Sequence, residues 1–138
     1  MLGTILLIAG CSIFAGLGII HAVYTFTTNK FDARDAALND LMKRTSPVLT
    51  KEISMWSAWV GFNASHSLGA ILFGVFFIAV ALENEAYLKT SVALNTLLVA
   101  VPLIFTALAF KYWFSVPRRG ILAGTLLIGL SLAMRLID

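Results

Sequence analysis

The chain has 138 residues, of which 59% are hydrophobic and 12% charged, with a net charge of +3. Soluble domains carry roughly 45–50% apolar and about 25% charged residues, and a chain this short cannot hide so much apolar surface from water, so a water-soluble globule is excluded. The small basic excess is no argument for a nucleic-acid partner, because the placement of the cations has a simpler explanation in membrane topology.

Charged side chains are absent from residues 1–29, 53–82, 90–110 and 120–134 and collect in the gaps between. A membrane-spanning helix needs about 20 mainly apolar residues to cross ~30 Å of hydrocarbon. The first three tracts satisfy this directly. The fourth reaches spanning length if Pro117 opens its helix and Arg119 and Arg135 snorkel to the two interfaces. The predicted helices are therefore 2–26, 53–82, 90–114 and 118–137, within one transmembrane domain covering 1–138. The fold class is all-α, a polytopic four-transmembrane-helix antiparallel bundle. A transmembrane β-barrel would need alternation in ~10-residue segments, which these continuous tracts lack.

In helix 1, Ile8-Ala9-Gly10-Cys11 resembles a bacterial lipobox, but no positive n-region precedes it and the apolar run continues past it. A buried, inert thiol is the favoured reading of Cys11, with lipidation as the alternative. One cysteine excludes an internal disulfide. Cys11 with Ala15, and Ser12 with Gly16, form small-residue stripes. Gly61, Ser65 and Gly69 form another in helix 2, and such stripes let backbones approach closely in lipid.

The connection 27–52 is the long one. Residues 31–44 mix charged and apolar side chains at helical spacing, with Phe31, Leu38, Leu41 and Met42 on one face and Asp32 as N-cap. This predicts a short amphipathic helix at the headgroup level. Ser46-Pro47 ends it, with the proline placed to start the next helix. The connection 83–89 is short, and Ser115 and Pro117 mark another short turn. Pro102 should kink helix 3 and free the carbonyl of Leu98.

Lys30, Arg34, Lys43, Arg44 and Lys51 lie in the first connection, and Lys111, Arg118 and Arg119 in the third. The other side has only Lys89 and Arg135. Eight against two places both basic loops in the cytoplasm and both termini outside. Trp56, Trp59, Tyr112 and Trp113 would then form a cytoplasmic aromatic belt. The expected location is a bacterial inner (plasma) membrane.

Polar groups at membrane depth are the best site indicators, since each costs energy unless paired. The two histidines both fall inside spans. His21 is nine residues before Lys30 and His66 ten after Trp56, about 13 Å and 15 Å along their helices. Asn63 shares a face with His66, and Ser67 borders it. Tyr24 and Thr25 share a face with His21. A ligand pocket between helices 1 and 2 would hold His21, Tyr24, Thr25, Asn63, His66 and Ser67. Two imidazoles could ligate haem b or be part of a metal site. A quinone or other small apolar ligand could be hydrogen-bonded there. The competing reading is interhelical hydrogen bonding alone. No carboxylate lies at that depth, which weakens metal binding and proton relay. Asn95, Thr96 and Thr106 on helix 3 read as structural. No hydrolase, nucleotide-binding or dithiol motif is present, so a non-enzymatic protein is favoured over an enzyme.

The strings Gly18-Ile-Ile-His21-Ala-Val-Tyr24-Thr-Phe26 and Gly61-Phe-Asn63-Ala-Ser-His66-Ser-Leu-Gly69 resemble those of small uncharacterised bacterial four-helix integral membrane proteins. That resemblance implies a fold and no activity. In architecture alone the chain is similar to the membrane-associated eicosanoid and glutathione metabolism proteins. Their Glu-x-x-Arg-x-x-Asn pattern has no counterpart in the charge-free helix 2. The expectation is a non-enzymatic bundle or accessory subunit, with the lipid bilayer, other membrane subunits or further copies of itself as partners. The alternative is a redox or enzyme subunit using His21 and His66 as ligands.

Overall fold

The computed structural model describes residues 1–135, so the last two positions of the predicted fourth helix lie outside the described residues. Six helices follow in order: α1 (Leu2–Thr27), α2 (Ala36–Arg44), α3 (Met55–Glu83), α4 (Glu85–Thr90), α5 (Val92–Tyr112) and α6 (Ser115–Arg135). There is no strand among the described residues. By length and composition, α1, α3, α5 and α6 are long and apolar enough to cross a membrane. The described residues are thus all-α, with four candidate membrane spans.

Local chemistry sets the helix ends. Asn84 and Ser91 cap α4 and α5 by accepting from Tyr87 N and Leu94 N, and Ser54 Oγ accepts from Ser57 N at the start of α3. These side chains satisfy amides that have no partner within the helix.

Three sequence expectations need correction. The cap of α2 is Asp35, which accepts from Ala37 N at 2.8 Å, and not Asp32. Asn39 bonds both the N–H and the carbonyl of Ala33, which ties that residue into a turn and delays the helix to Ala36. Phe31 therefore lies off the α2 face. Pro47 does not open the next helix. It heads a turn closed by Thr50 N on its carbonyl, and α3 begins only at Met55. Conversely, α6 begins at Ser115, so Pro117 sits inside its first turn, where a missing N–H costs no intrahelical bond.

Contacts divide the chain into two compact units, and the division falls within α1 and α3. The first unit comprises Met1–Leu17 and Ala70–Asp138. Its core is apolar: Leu7, Cys11 and Phe14 of α1 meet Phe73, Phe77 and Ala81 of α3, Leu98 and Ala109 of α5, and Ile121 and Ile128 of α6. Phe14 lies 5.1 Å from Phe73 and 5.8 Å from Phe105 between ring centroids. Glycines permit this closeness. A Cβ on Gly74 would lie 2.5 Å from the Cys11 carbonyl oxygen, and one on Gly10 would lie 2.8 Å from that of Gly124. The Cys11–Ala15 stripe is thus a packing surface, and Cys11 is a buried free thiol. Gly16, Gly61 and Gly69 are not close-packing positions: beyond the adjoining residues and the backbone of their own helix turns, no atom among the described residues lies within 4 Å of where their Cβ would be.

Of the helix 3 polar groups read as structural, Asn95 and Thr106 make specific bonds. Asn95 Nδ2 donates to the carbonyls of Leu88 and Ser91, and the Thr106 and Thr125 hydroxyls bond at 2.9 Å. Pro102 is buried within the continuous α5. Arg135 departs from expectation, because its three guanidinium nitrogens are covered by protein rather than turned outward.

The second unit is Gly18–Gly69. It holds the end of α1, all of α2 and the start of α3. Its buried side chains include the polar Asn63 and Ser67, whereas the buried core cluster of the first unit is apolar, with Ser131 bonded to the Gly3 carbonyl beside it.

Candidate functional site

The polar group at the heart of the second unit is built from α1 and α3. Asn63 Nδ2 donates to the Trp59 carbonyl one turn back, at 2.8 Å. That bond orients the amide and turns Oδ1 toward α1. His21 Nε2–H then donates to Oδ1 at 2.9 Å. In the neutral imidazole this tautomer leaves Nδ1 as an acceptor. The His66 ring meets the His21 ring edge to face, 5.2 Å between centroids at 70°. His21, Asn63 and His66 are brought together as their spacing suggested.

The other three expected site residues have different commitments. Thr25 Oγ1 donates to the carbonyl of His21 and Ser67 Oγ to that of Asn63, both at 2.8 Å within their own helices. Tyr24 is exposed, with Lys30 Nζ 5.1 Å from its ring centroid.

Two neighbours complete the cluster. Phe31 covers the His21 ring at 4.5 Å, and its carbonyl accepts from Trp59 Nε1 at 3.2 Å. Phe31 was read as part of the amphipathic helix and Trp59 as an interface anchor. The legible signal was Trp59 four residues before Asn63, the spacing of a side chain that bonds back to its own helix.

A bis-histidine haem would need two ring nitrogens about 4 Å apart, aimed at one iron from opposite faces of a porphyrin. Rings in edge contact leave no slot for a macrocycle, and His21 Nε2 is held by Asn63. The arrangement does not fit haem. Among the described residues there is no group of three or more His, Cys, Asp or Glu able to hold a metal ion. What the cluster can do is hydrogen-bond: it is apolar-walled, carries ring acceptors and joins two helices.

No protein-family model matches this chain, and neither a curated protein nor a solved structure matches it.

Proposed function

We propose that the chain is a non-enzymatic integral membrane protein, a bundle or accessory subunit, in which His21, Asn63 and His66 form a polar clamp between α1 and α3. The clamp's aromatic surroundings suit a small apolar ligand with one hydrogen-bonding group, of the quinone kind. The observation that carries this reading is the His21 Nε2–H···Oδ1 Asn63 bond at 2.9 Å, with His66 in contact and no carboxylate in the group.

In this reading the four spans are antiparallel, with both termini outside and the basic loops in the cytoplasm. α2 lies at the headgroup level: none of its residues is buried, and Leu38 and Leu41 expose one apolar face. Val48 and Leu49, fully exposed just after it, add apolar surface for the same interface. The bacterial inner membrane remains the proposed location, and association with other membrane subunits or further copies the proposed setting.

Titration of the detergent-purified protein with a short-chain quinone, followed by Trp59 fluorescence, tests the site. Saturable quenching that His21→Leu and Asn63→Leu abolish is the expected result. Quenching identical in all three proteins, or a Soret band lost in the His21 variant, sinks it.

A further inference from the structure

The turn between α1 and α2 forms a cavity of about 420 Å³ whose wall includes Lys30, Asp32, Arg34 and Asn39. Hydrogen bonds fix its frame. Asp32 N donates to the Asn29 carbonyl at 3.1 Å, Lys30 N donates to Thr28 Oγ1 at 3.2 Å, and Asn39 spends both ends of its amide on Ala33. The cap of α2 is Asp35, so the helix makes no use of the Asp32 carboxylate.

Among the described residues, neither that carboxylate nor the Arg34 guanidinium has an ion-pair or hydrogen-bond partner. Both side chains are exposed. Lys30 is engaged differently, with its ammonium over the Tyr24 ring. One cavity thus presents two opposite charges that do not neutralise each other. A carboxylate accepts from an ammonium, and a guanidinium can hold two phosphate oxygens at once. A simple anion would meet repulsion from Asp32, and a simple cation from Arg34 and Lys30. A ligand carrying both charges on one short chain satisfies the whole set.

We propose that this cavity binds a phosphoethanolamine group, its phosphate on Arg34 with Lys30 adding positive charge, and its primary ammonium on Asp32. Two sources share this chemistry, the headgroup of phosphatidylethanolamine and soluble phosphoethanolamine. The surroundings point to the lipid. The cavity follows directly on α1, and Val23 and Phe26 are exposed in the last turns of that span, where they offer apolar surface to acyl chains. The choice of the lipid rests on the headgroup-level placement of this connection proposed above, whereas the charge pattern of the cavity does not.

Native mass spectrometry of the full chain in a neutral detergent tests both points. Phosphatidylethanolamine, phosphatidylcholine and phosphatidylglycerol with the same acyl chains are titrated in turn, and then soluble phosphoethanolamine. The protein should bind phosphatidylethanolamine more tightly than phosphatidylcholine, whose trimethylated nitrogen has no N–H for Asp32, and more tightly than phosphatidylglycerol, which has no ammonium. Asp32→Asn should weaken phosphatidylethanolamine about tenfold or more, the loss of one charged hydrogen bond, and tighten phosphatidylglycerol by removing a like charge. Arg34→Gln should weaken all three. Both residues lie outside the helices, so these variants keep the fold. A preference for phosphatidylethanolamine that survives Asp32→Asn overturns the site. So do equal lipid affinities together with no Asp32-dependent binding of the soluble compound. If soluble phosphoethanolamine binds with this dependence and phosphatidylethanolamine does not, the cavity keeps its ligand and the headgroup-level placement falls.

Discussion

At the scale of single residues, the second unit is held by an amide rather than by hydrocarbon. Asn63 receives from His21 and donates to Trp59, so both ends of its side chain are used. Removing one partner strands the other at membrane depth, where water does not replace it. Interhelical hydrogen bonds in membranes contribute about 0.6–2 kcal/mol. His21→Ala and Asn63→Ala should each lower unfolding stability in detergent by about that amount. The double variant should lose less than the sum, since the two remove one bond; full additivity would show that the residues do not act together. Glu85 offers a second test. The hydrogen bond from Thr4, and then that from Lys89, holds its carboxyl below the usual carboxylate range. A carboxylate depressed in the folded state stabilises fully above its unfolded-state pKa and loses this as pH falls through the lower folded value. Glu85→Gln should therefore flatten the acid limb of a stability profile by lowering the neutral plateau, while stability at the acid end stays close to the parent's. The group is partly exposed, so the effect should stay below about 1 kcal/mol. An acid limb identical to the parent's would refute the linkage. The spacing of Asn63 and His66 revealed the cluster because helix periodicity survives any packing. Thr25 and Ser67 were read as lining the pocket, but spacing does not reveal that a hydroxyl bonds its own helix's carbonyl.

At the scale of elements, the four apolar helices were legible because bilayer thickness writes their length directly into composition. Helix starts were less so. Asp32 and Asp35 are both good caps, and only the Asn39–Ala33 clasp, six residues apart, chooses between them. Small-residue stripes were similarly ambiguous. Gly61 and Gly74 look alike in sequence, yet a Cβ meets backbone at one and open space at the other. Gly74→Ala should destabilise the protein by about 1–3 kcal/mol, because the Cys11 carbonyl has no rotamer with which to yield. Gly61→Ala should be neutral or slightly stabilising through helix propensity. Thermal unfolding of the two variants side by side checks this, and equal losses would contradict the packing.

At the scale of the whole molecule, the distribution of cations argues for a sided protein. Lys30, Lys43, Lys111 and Arg118 each lie over an aromatic ring, of Tyr24, Trp56, Tyr112 and Phe110, at 5.1–5.7 Å. All four cations come from the first and third connections, the pair that the charge bias assigns to the cytoplasm. An aromatic ring under an ammonium or guanidinium suits the headgroup layer, where one partner is wet and the other meets hydrocarbon. Lys89 is paired instead with Glu85, and Arg135 is enclosed. Among the described residues, neither Lys89 nor Arg135 is placed over a ring in this way. The sidedness can be read from two positions of known exposure. Cys11 is fully buried, and replacing it by alanine gives a background without thiols. Val48→Cys then reports the first connection and Tyr87→Cys reports α4, both from exposed side chains. In intact cells a membrane-impermeant maleimide should label Tyr87→Cys and reach Val48→Cys only after permeabilisation. Labelling of Val48→Cys from outside would invert the proposed orientation.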